Sequence, residues 1–293
     1  MLTWIVDGVE YPLDTGVHCY CQGMDGLGMM PVSRIEESGP LQHGSTDRGY
    51  RLNARTISLA LLIFGNSKAD LWLKRNALVN MFKPGNTPGI LRWTLGAITR
   101  EITGFFADGL NLSSKDISGW SQKTGVMIRC NDPAWYDPVA KTAAIIASVG
   151  TGSGGEVPSA VPTDVGSSGL NATTTIHYSG DVTSYPKLIR ITGPITSCVI
   201  TNLATGEKLD FAGKTIALGD HYDIDLRYGY KTVKNASGVN KNADLSADSD
   251  LTTWGIYANP DVPEGENSIQ ATGSGVDDGT RIDITYYDRY SGI

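Results

Sequence analysis

The chain has 293 residues, a formal charge of −7 and a pI near 5.1, so the basic footprint of a duplex-binding protein is missing. With 40% hydrophobic and 19% charged residues it is globular rather than disordered, and its length suits about two domains with a sizeable core. The 35 glycines exceed the usual share and imply many turns, hence many short strands.

Met1 to Gly8 has no cationic segment leading into an apolar run, so a secretory signal is not expected. No stretch approaches the ~20 apolar residues that span a bilayer. The first pattern is a hairpin: Trp4-Ile5-Val6 and Val9-Glu10-Tyr11 flank Asp7-Gly8, a pair suited to the positive φ angles of a type I′ turn. Gly23 to Pro31 and Ser38 to Gly49 read as loops.

From Tyr50 to Phe64 runs the most informative strand. Tyr50, Leu52 and Ala54 hold one face while Arg51, Asn53 and Arg55 hold the other; from Ile57 the apolar residues move to odd positions. Such a change of phase implies a bulge, or a strand that leaves one sheet for another. Leu61-Leu62-Ile63-Phe64 is apolar on both faces and is expected to be buried on both.

One helix follows. Asn66-Ser67 can cap it with Asp70 in the first turn, and Leu71, Leu78, Met81 and Phe82 form one stripe, with Lys74 and Arg75 on the surface. Lys83-Pro84-Gly85 stops it. Strands resume at Ile90 to Leu95, Arg100 to Phe106 and Thr124 to Cys130, before two prolines in Asn131 to Pro138 take the chain out of the sheet.

The charge balance changes there. Residues 1–137 hold 13 Lys and Arg against 13 Asp and Glu, whereas 138–293 hold 11 against 18. A Gly- and Ser-rich excursion is expected at about 150–172. Beyond it the pattern is β: Lys187 to Thr192, Cys198 to Asn202 paired with Lys208 to Phe211, and His221 to Tyr230 with Tyr222, Ile224, Leu226, Tyr228 and Tyr230 on one face. Ile282, Ile284 and Tyr286 alternate with polar residues near the end. Short strands between turns imply a β-sandwich.

Chemistry is sparse. The sequence has no phosphate-cradling G-x-x-x-x-G-K-[ST], no nucleophile elbow and no H-E-x-x-H. Four histidines, His18, His43, His177 and His221, limit the general bases available. His18-Cys19-Tyr20-Cys21 groups soft ligands, but no second ligand pair follows, so strand packing outweighs zinc. Cys19, Cys21, Cys130 and Cys198 are expected to be reduced.

Asp220, His221, Asp223 and Asp225 form the best catalytic-looking cluster, though a water-facing strand face explains it better. Asp244, Asp248 and Asp250 miss the calcium-loop spacing and its bidentate Glu. No catalytic residue, metal site or cofactor is assigned. Trp254 and Tyr257, with Tyr286, Tyr287 and Tyr290, offer aromatic surfaces to sugars, against core packing as the alternative. Beside a structural role stand two rivals. One is a carbohydrate-binding module using Trp254 and Tyr257; the other is a glycoside hydrolase using two strand carboxylates.

Several weak motifs fall in a telling order: Gly39-Pro40-Leu41-Gln42-His43-Gly44-Ser45-Thr46-Asp47-Arg48-Gly49, then Arg55-Thr56-Ile57-Ser58-Leu59, then Phe82-Lys83-Pro84-Gly85. Cys130-Asn131-Asp132-Pro133-Ala134-Trp135-Tyr136 closes the first half. In the second, Tyr178-Ser179-Gly180-Asp181, Tyr185-Pro186, Ile189-Arg190-Ile191-Thr192-Gly193-Pro194, Thr205-Gly206 and Pro263-Glu264-Gly265-Glu266-Asn267-Ser268-Ile269 follow. In this order the chain resembles the distal tail proteins of long-tailed, siphovirus-type bacteriophages over nearly its whole length.

The resemblance implies a mainly β protein of two β-sandwich domains. Residues 1–137 would be a tail-tube-like, ring-forming domain with one flanking α-helix, and residues 138–293 a galectin-like or carbohydrate-module-like domain. It implies a homohexameric ring in the virion, at the distal end of the tail, assembled in the host cytoplasm. The ring would join the tail-tube protein to the tail-tip hub protein and to receptor-binding or fibre components. DNA would pass through it without sequence-specific binding. Ring closure needs a heterologous interface. The Arg51, Asn53 and Arg55 face is its candidate, since Arg pairs well with carboxylates at interfaces, with a solvated strand face as the alternative.

Overall fold

The computed structural model describes residues 1–85, 87–113, 116–147 and 169–293. The chain divides into two compact units, Met1–Pro138 with Arg289–Ile293, and Val139–Asp288. The fold is mainly β.

The first unit contains β1 (Leu2–Val6), β2 (Val9–Pro12), β3 (Tyr20–Asp25), β4 (Val32–Glu37), β5 (Thr46–Leu52), β6 (Arg55–Phe64) and α1 (Lys68–Met81). Then come β7 (Gly89–Leu95), β8 (Ile98–Gly109), β9 (Ile117–Ser118), β10 (Ser121–Cys130) and β11 (Trp135–Tyr136). The second unit contains β12 (Lys141–Ile146), β13 (Gly169–His177), β14 (Leu188–Thr192), β15 (Ile195–Asn202) and β16 (Lys208–Asp210). It continues with β17 (Thr215–Ile216), β18 (His221–Asp225), β19 (Thr232–Asn235), β20 (Glu266–Ser274) and β21 (Arg281–Tyr286). A last strand, β22 (Arg289–Tyr290), returns to the first unit.

Strands of the first unit run in the order β2-β1-β7-β8-β10-β6-β3, with β9 beside β10, and β11 between β8 and β22. Val6 pairs with Val9 across Asp7 and Gly8, whose φ values of 50° and 77° are those the two-residue turn requires. The change of phase after Ala54 is a change of sheet: β5 pairs with β4 in a two-stranded sheet, and β6 joins the large one. Ile57, Leu59, Leu61 and Ile63 are buried together on one face of β6. Leu62 is half-buried and Phe64 exposed, so the expected two-sided burial is not found: the core lies on one face of the strand. Two expected loops also contain strand. β3 runs into the glycine-rich stretch because pairing with β6 overrides the poor strand propensity of Gly23. The second stretch is spanned by the β4–β5 hairpin.

The helix starts where expected. Ser67 Oγ accepts from the Asp70 amide at 3.1 Å, and Asp70 Oδ2 accepts from the Asn66 amide at 2.8 Å, so the two side chains cap orphan donors reciprocally. Leu71, Leu78, Met81 and Phe82 pack into the core with Trp4, whose ring stacks on Phe82 at 5.6 Å. Gly89 is needed there, since a Cβ would lie 2.1 Å from the Trp4 ring. Arg75, expected at the surface, is buried: its Nη2 donates to Leu112 O at 3.0 Å and its Cζ lies 4.1 Å from the Trp72 ring centre. A long apolar stem lets arginine do both.

The second unit is a sandwich of two five-stranded antiparallel sheets, β12-β21-β14-β18-β19 and β13-β20-β15-β16 with β17 beside β15. Ile189, Ile191, Ile224 and Ile282 of one sheet share a core with Ile176, Ile200 and Ile269 of the other. β18 ends at Asp225, not Tyr230, because the Leu226 amide turns aside to donate to Pro186 O at 3.0 Å. Tyr228 and Tyr230 therefore leave the strand alternation. The excursion expected at about 150–172 lies outside the described residues up to 168, while 169–172 belong to β13.

The tail of the chain, counted with the second half in the sequence, completes the first unit. Tyr290 and Arg289 pair with Trp135 and Tyr136, and the Ile293 amide donates to Leu27 O at 3.2 Å.

Candidate assembly surface

The three residues expected to form one interface face are separated by the switch of sheets. Arg51 is exposed on β5. Asn53, between the sheets, donates from Nδ2 to Ser33 Oγ at 2.6 Å and from its amide to Pro31 O at 2.8 Å. Arg55 starts β6 and is 2% exposed, donating to Gly26 O at 3.3 Å and to Ser291 O. Burial pulls its pKa below the ordinary arginine value. Arg55 thus ties a loop and the C-terminal tail to the core, and of the three only Arg51 faces solvent.

The surface that stands out includes the stretch Ser38 to Gly49, expected as loop. From Glu36 to Arg48 every residue of the β4–β5 hairpin is exposed. Its apolar side chains are unburied too: Ile35 is 52% exposed, Leu41 96% and Tyr50 61%. The ion pairs Arg34–Asp47 and Arg48–Glu37 hold it, both at the surface where such pairs add little. An isolated two-stranded hairpin is marginal in water. Val32 and Ile35 fall on opposite faces of β4, so no apolar alternation marks this strand in the sequence.

A second open feature lies on the large sheet. β3 ends the strand order and has no partner on its outer side among the described residues, so its backbone is a template for pairing. Beside it a shallow depression is lined by Gly23, Ser58, Ala60, Thr124 and Gly125 together with Met24, Asp25 and Leu59.

In the second unit, Trp254 is 0% exposed inside the sandwich core, so it offers no face to a sugar. Tyr257 is half-buried and donates to both carboxylate oxygens of Glu207 at 2.9 Å. Tyr286 is buried, and Tyr290 sits in the first unit under the Arg100 guanidinium, 3.7 Å away.

Each carboxylate of the Asp220–Asp225 run has a partner. Asp223 takes a bidentate pair from Arg190 at 2.7 Å and 2.7 Å, with His221 Nε2 at 3.7 Å. Asp225 takes a second from Arg227, and Asp220 accepts from the His221 amide. Asp244 is held below the usual carboxylate range by the Tyr222 hydroxyl and by Lys214 and Lys241. Asp248 is held down to about 2 by Lys208 and Ser246.

Among the described residues no group of three or more His, Cys, Asp or Glu is placed to hold a metal. Burial pushes the Cys19 thiol up to about 12, and its Sγ donates to Leu13 O at 3.6 Å, so it packs as a protonated thiol.

No family model matches the chain, and no curated protein matches it in sequence. Solved structures do match its fold. The SPP1 Dit protein, described as a paradigm of the hub adsorption apparatus in phages that infect Gram-positive hosts, aligns with a TM-score of 0.67 and 15% identity over 99% of each chain. The baseplate of phage P2, activated with calcium, aligns with a TM-score of 0.49 and 11% identity over 97% of this chain and 98% of that one. The chain has the fold of SPP1 Dit along its full length.

Proposed function

We propose that this protein is a distal tail protein: a structural subunit of a phage virion that acts by assembly and not by turnover. The full-length likeness to SPP1 Dit carries the reading. At residue level it is supported by the hairpin without a core and by the open edge and shallow face of the large sheet.

A ring requires each copy to present two different patches that fit one another. The β4–β5 hairpin, with Arg51 at its base, is one patch; the β3 edge and the shallow face beside it are the other. Six copies closing in this way would join the tail tube to the hub and to the components that meet the host. Residues 1–137 balance 13 cations against 13 anions, which suits a conduit that passes DNA without gripping its phosphates.

Native mass spectrometry and electron microscopy of the purified chain, alone and mixed with the tube and hub proteins of its phage, test this. A closed ring is expected. A strict monomer under both conditions overturns the reading. Ile35→Asp should abolish the ring while leaving the monomer's melting within about 0.5 kcal/mol, because the side chain is unburied.

A further inference from the structure

The turn that follows β18 carries a second surface, independent of the tail assignment. It passes through Tyr228, Gly229 and Tyr230 to Lys231, which adopts a φ of 37°. Left-handed backbone at a lysine is uncommon and needs surrounding contacts to hold it. Here they are specific. Lys231 Nζ donates to Thr252 O at 3.0 Å and lies 4.5 Å and 4.9 Å from the ring centres of Tyr185 and Tyr228.

Those rings meet edge to face at 4.8 Å, and the Tyr228 hydroxyl donates to that of Tyr185 at 3.1 Å. Tyr257 is tied to the same segment, its hydroxyl fixed on Glu207 and on Thr253 O, next to the Thr252 carbonyl that Lys231 holds. Arg227 is fixed on Asp225 and stacks over Tyr230 at 4.3 Å.

These half-buried partners fix two rings that stay exposed, Tyr228 and Tyr230. The core of the unit stops at Leu226 and Trp254, both fully buried, yet Tyr228 is 69% exposed. Locking exposed aromatic side chains in advance removes much of the ordering cost of binding. The local charges cancel, Arg227 and Lys231 against Asp225 and Glu207, so the site selects for neither a polyanion nor a polycation. Its ring surface is bordered by hydroxyls, a carboxylate and an ammonium, which can donate and accept at once. The C–H bonds on a pyranose face carry slight positive charge and stack on the negative face of an aromatic ring.

We propose that Tyr228, backed by Tyr185 and Lys231, is the stacking platform of a site for a neutral saccharide. Tyr257 and Glu207 supply hydrogen bonds to its hydroxyls. Of the two sugar contacts expected from sequence, Tyr257 has a place here and Trp254 has none.

The test titrates the intact protein with chitohexaose, maltohexaose and cellohexaose by saturation-transfer NMR and calorimetry, with polyphosphate as the anionic comparison. Saturable binding of at least one neutral oligosaccharide is expected. Tyr228→Ala should weaken it roughly ten-fold or more, and Tyr228→Phe, which keeps the ring, should retain most of it. Tyr50→Ala, which removes an equally exposed ring from the first unit, should leave it unchanged. The proposal is overturned by no neutral binding at millimolar concentration, by binding indifferent to Tyr228→Ala, or by binding of polyphosphate alone. Melting curves confirm that the exposed-site variants fold. Ring formation is read separately by mass spectrometry, so either proposal can fail without the other.

Discussion

In the second unit the buried amides answer one another. Asn267 donates to Tyr257 O at 2.8 Å and to Gly265 O at 3.0 Å, while its Oδ1 accepts from Asn202 Nδ2 at 3.0 Å and from the Tyr257 amide at 2.9 Å. In the first unit the buried polar groups reach outward instead: Arg55 to a loop and the C-terminal tail, Arg75 to the segment before β9. One unit closes on itself. The other uses its core to carry outlying segments, and it leaves the β4–β5 hairpin without any core at all. The comparison teaches that self-sufficiency is local here: the second sandwich holds its buried polar groups within itself, whereas the first unit leaves a hairpin and a sheet edge exposed, the surfaces on which the proposed assembly rests.

The comparison breaks most readily at Trp254. Trp254→Ala should destabilise the second unit by about 4 kcal/mol, the cost of deleting a fully buried indole. Hydrogen exchange resolved by unit should find the first unit unaffected. Equal loosening of both units would refute the idea that each core stands alone.

A smaller effect is expected at Arg55. Arg55→Met keeps the apolar stem but strands the carbonyls of Gly26 and Ser291, costing about 2 kcal/mol. Residues 289–293 should then exchange faster while β12–β21 do not. Unchanged protection of the tail would show that strand pairing with β11 suffices to hold it.

The smallest effect concerns acid. Asp248 has a folded-state pKa of about 2 against an ordinary 3.8, so its contribution is present above 3.8 and is lost as pH falls towards about 2. The carboxylate is exposed and screened, which keeps the contribution small. Urea titrations at several pH values should separate the wild type slightly from Asp248→Asn above pH 3.8 and converge as the pH falls towards about 2. Parallel curves across the whole range would mean that Lys208 does not hold Asp248 in solution.

Much of the fold is legible along the chain. The Asp7-Gly8 turn, the Ser67 and Asp70 cap, and the alternation Ile57, Leu59, Leu61, Ile63 all depend on neighbours within a few residues, and each appears where local physics puts it. The candidate surfaces are less legible. The hairpin's strands are weakly apolar and flank a Gly- and Pro-containing tip, so composition marks Ser38 to Gly49 as loop and gives β4 no signal. Tyr228 looks like the next step of a strand that has already ended at Asp225.

Periodicity decides which residues share a face, because side-chain direction is set by the local backbone. It does not decide which face is covered. Arg55 is buried because β6 joins a different sheet from β5 and the chain terminus returns to lie against it; Trp254 is buried because a second sheet closes over the first. Those partners lie many tens of residues away, and only tertiary packing brings them near enough to exclude water.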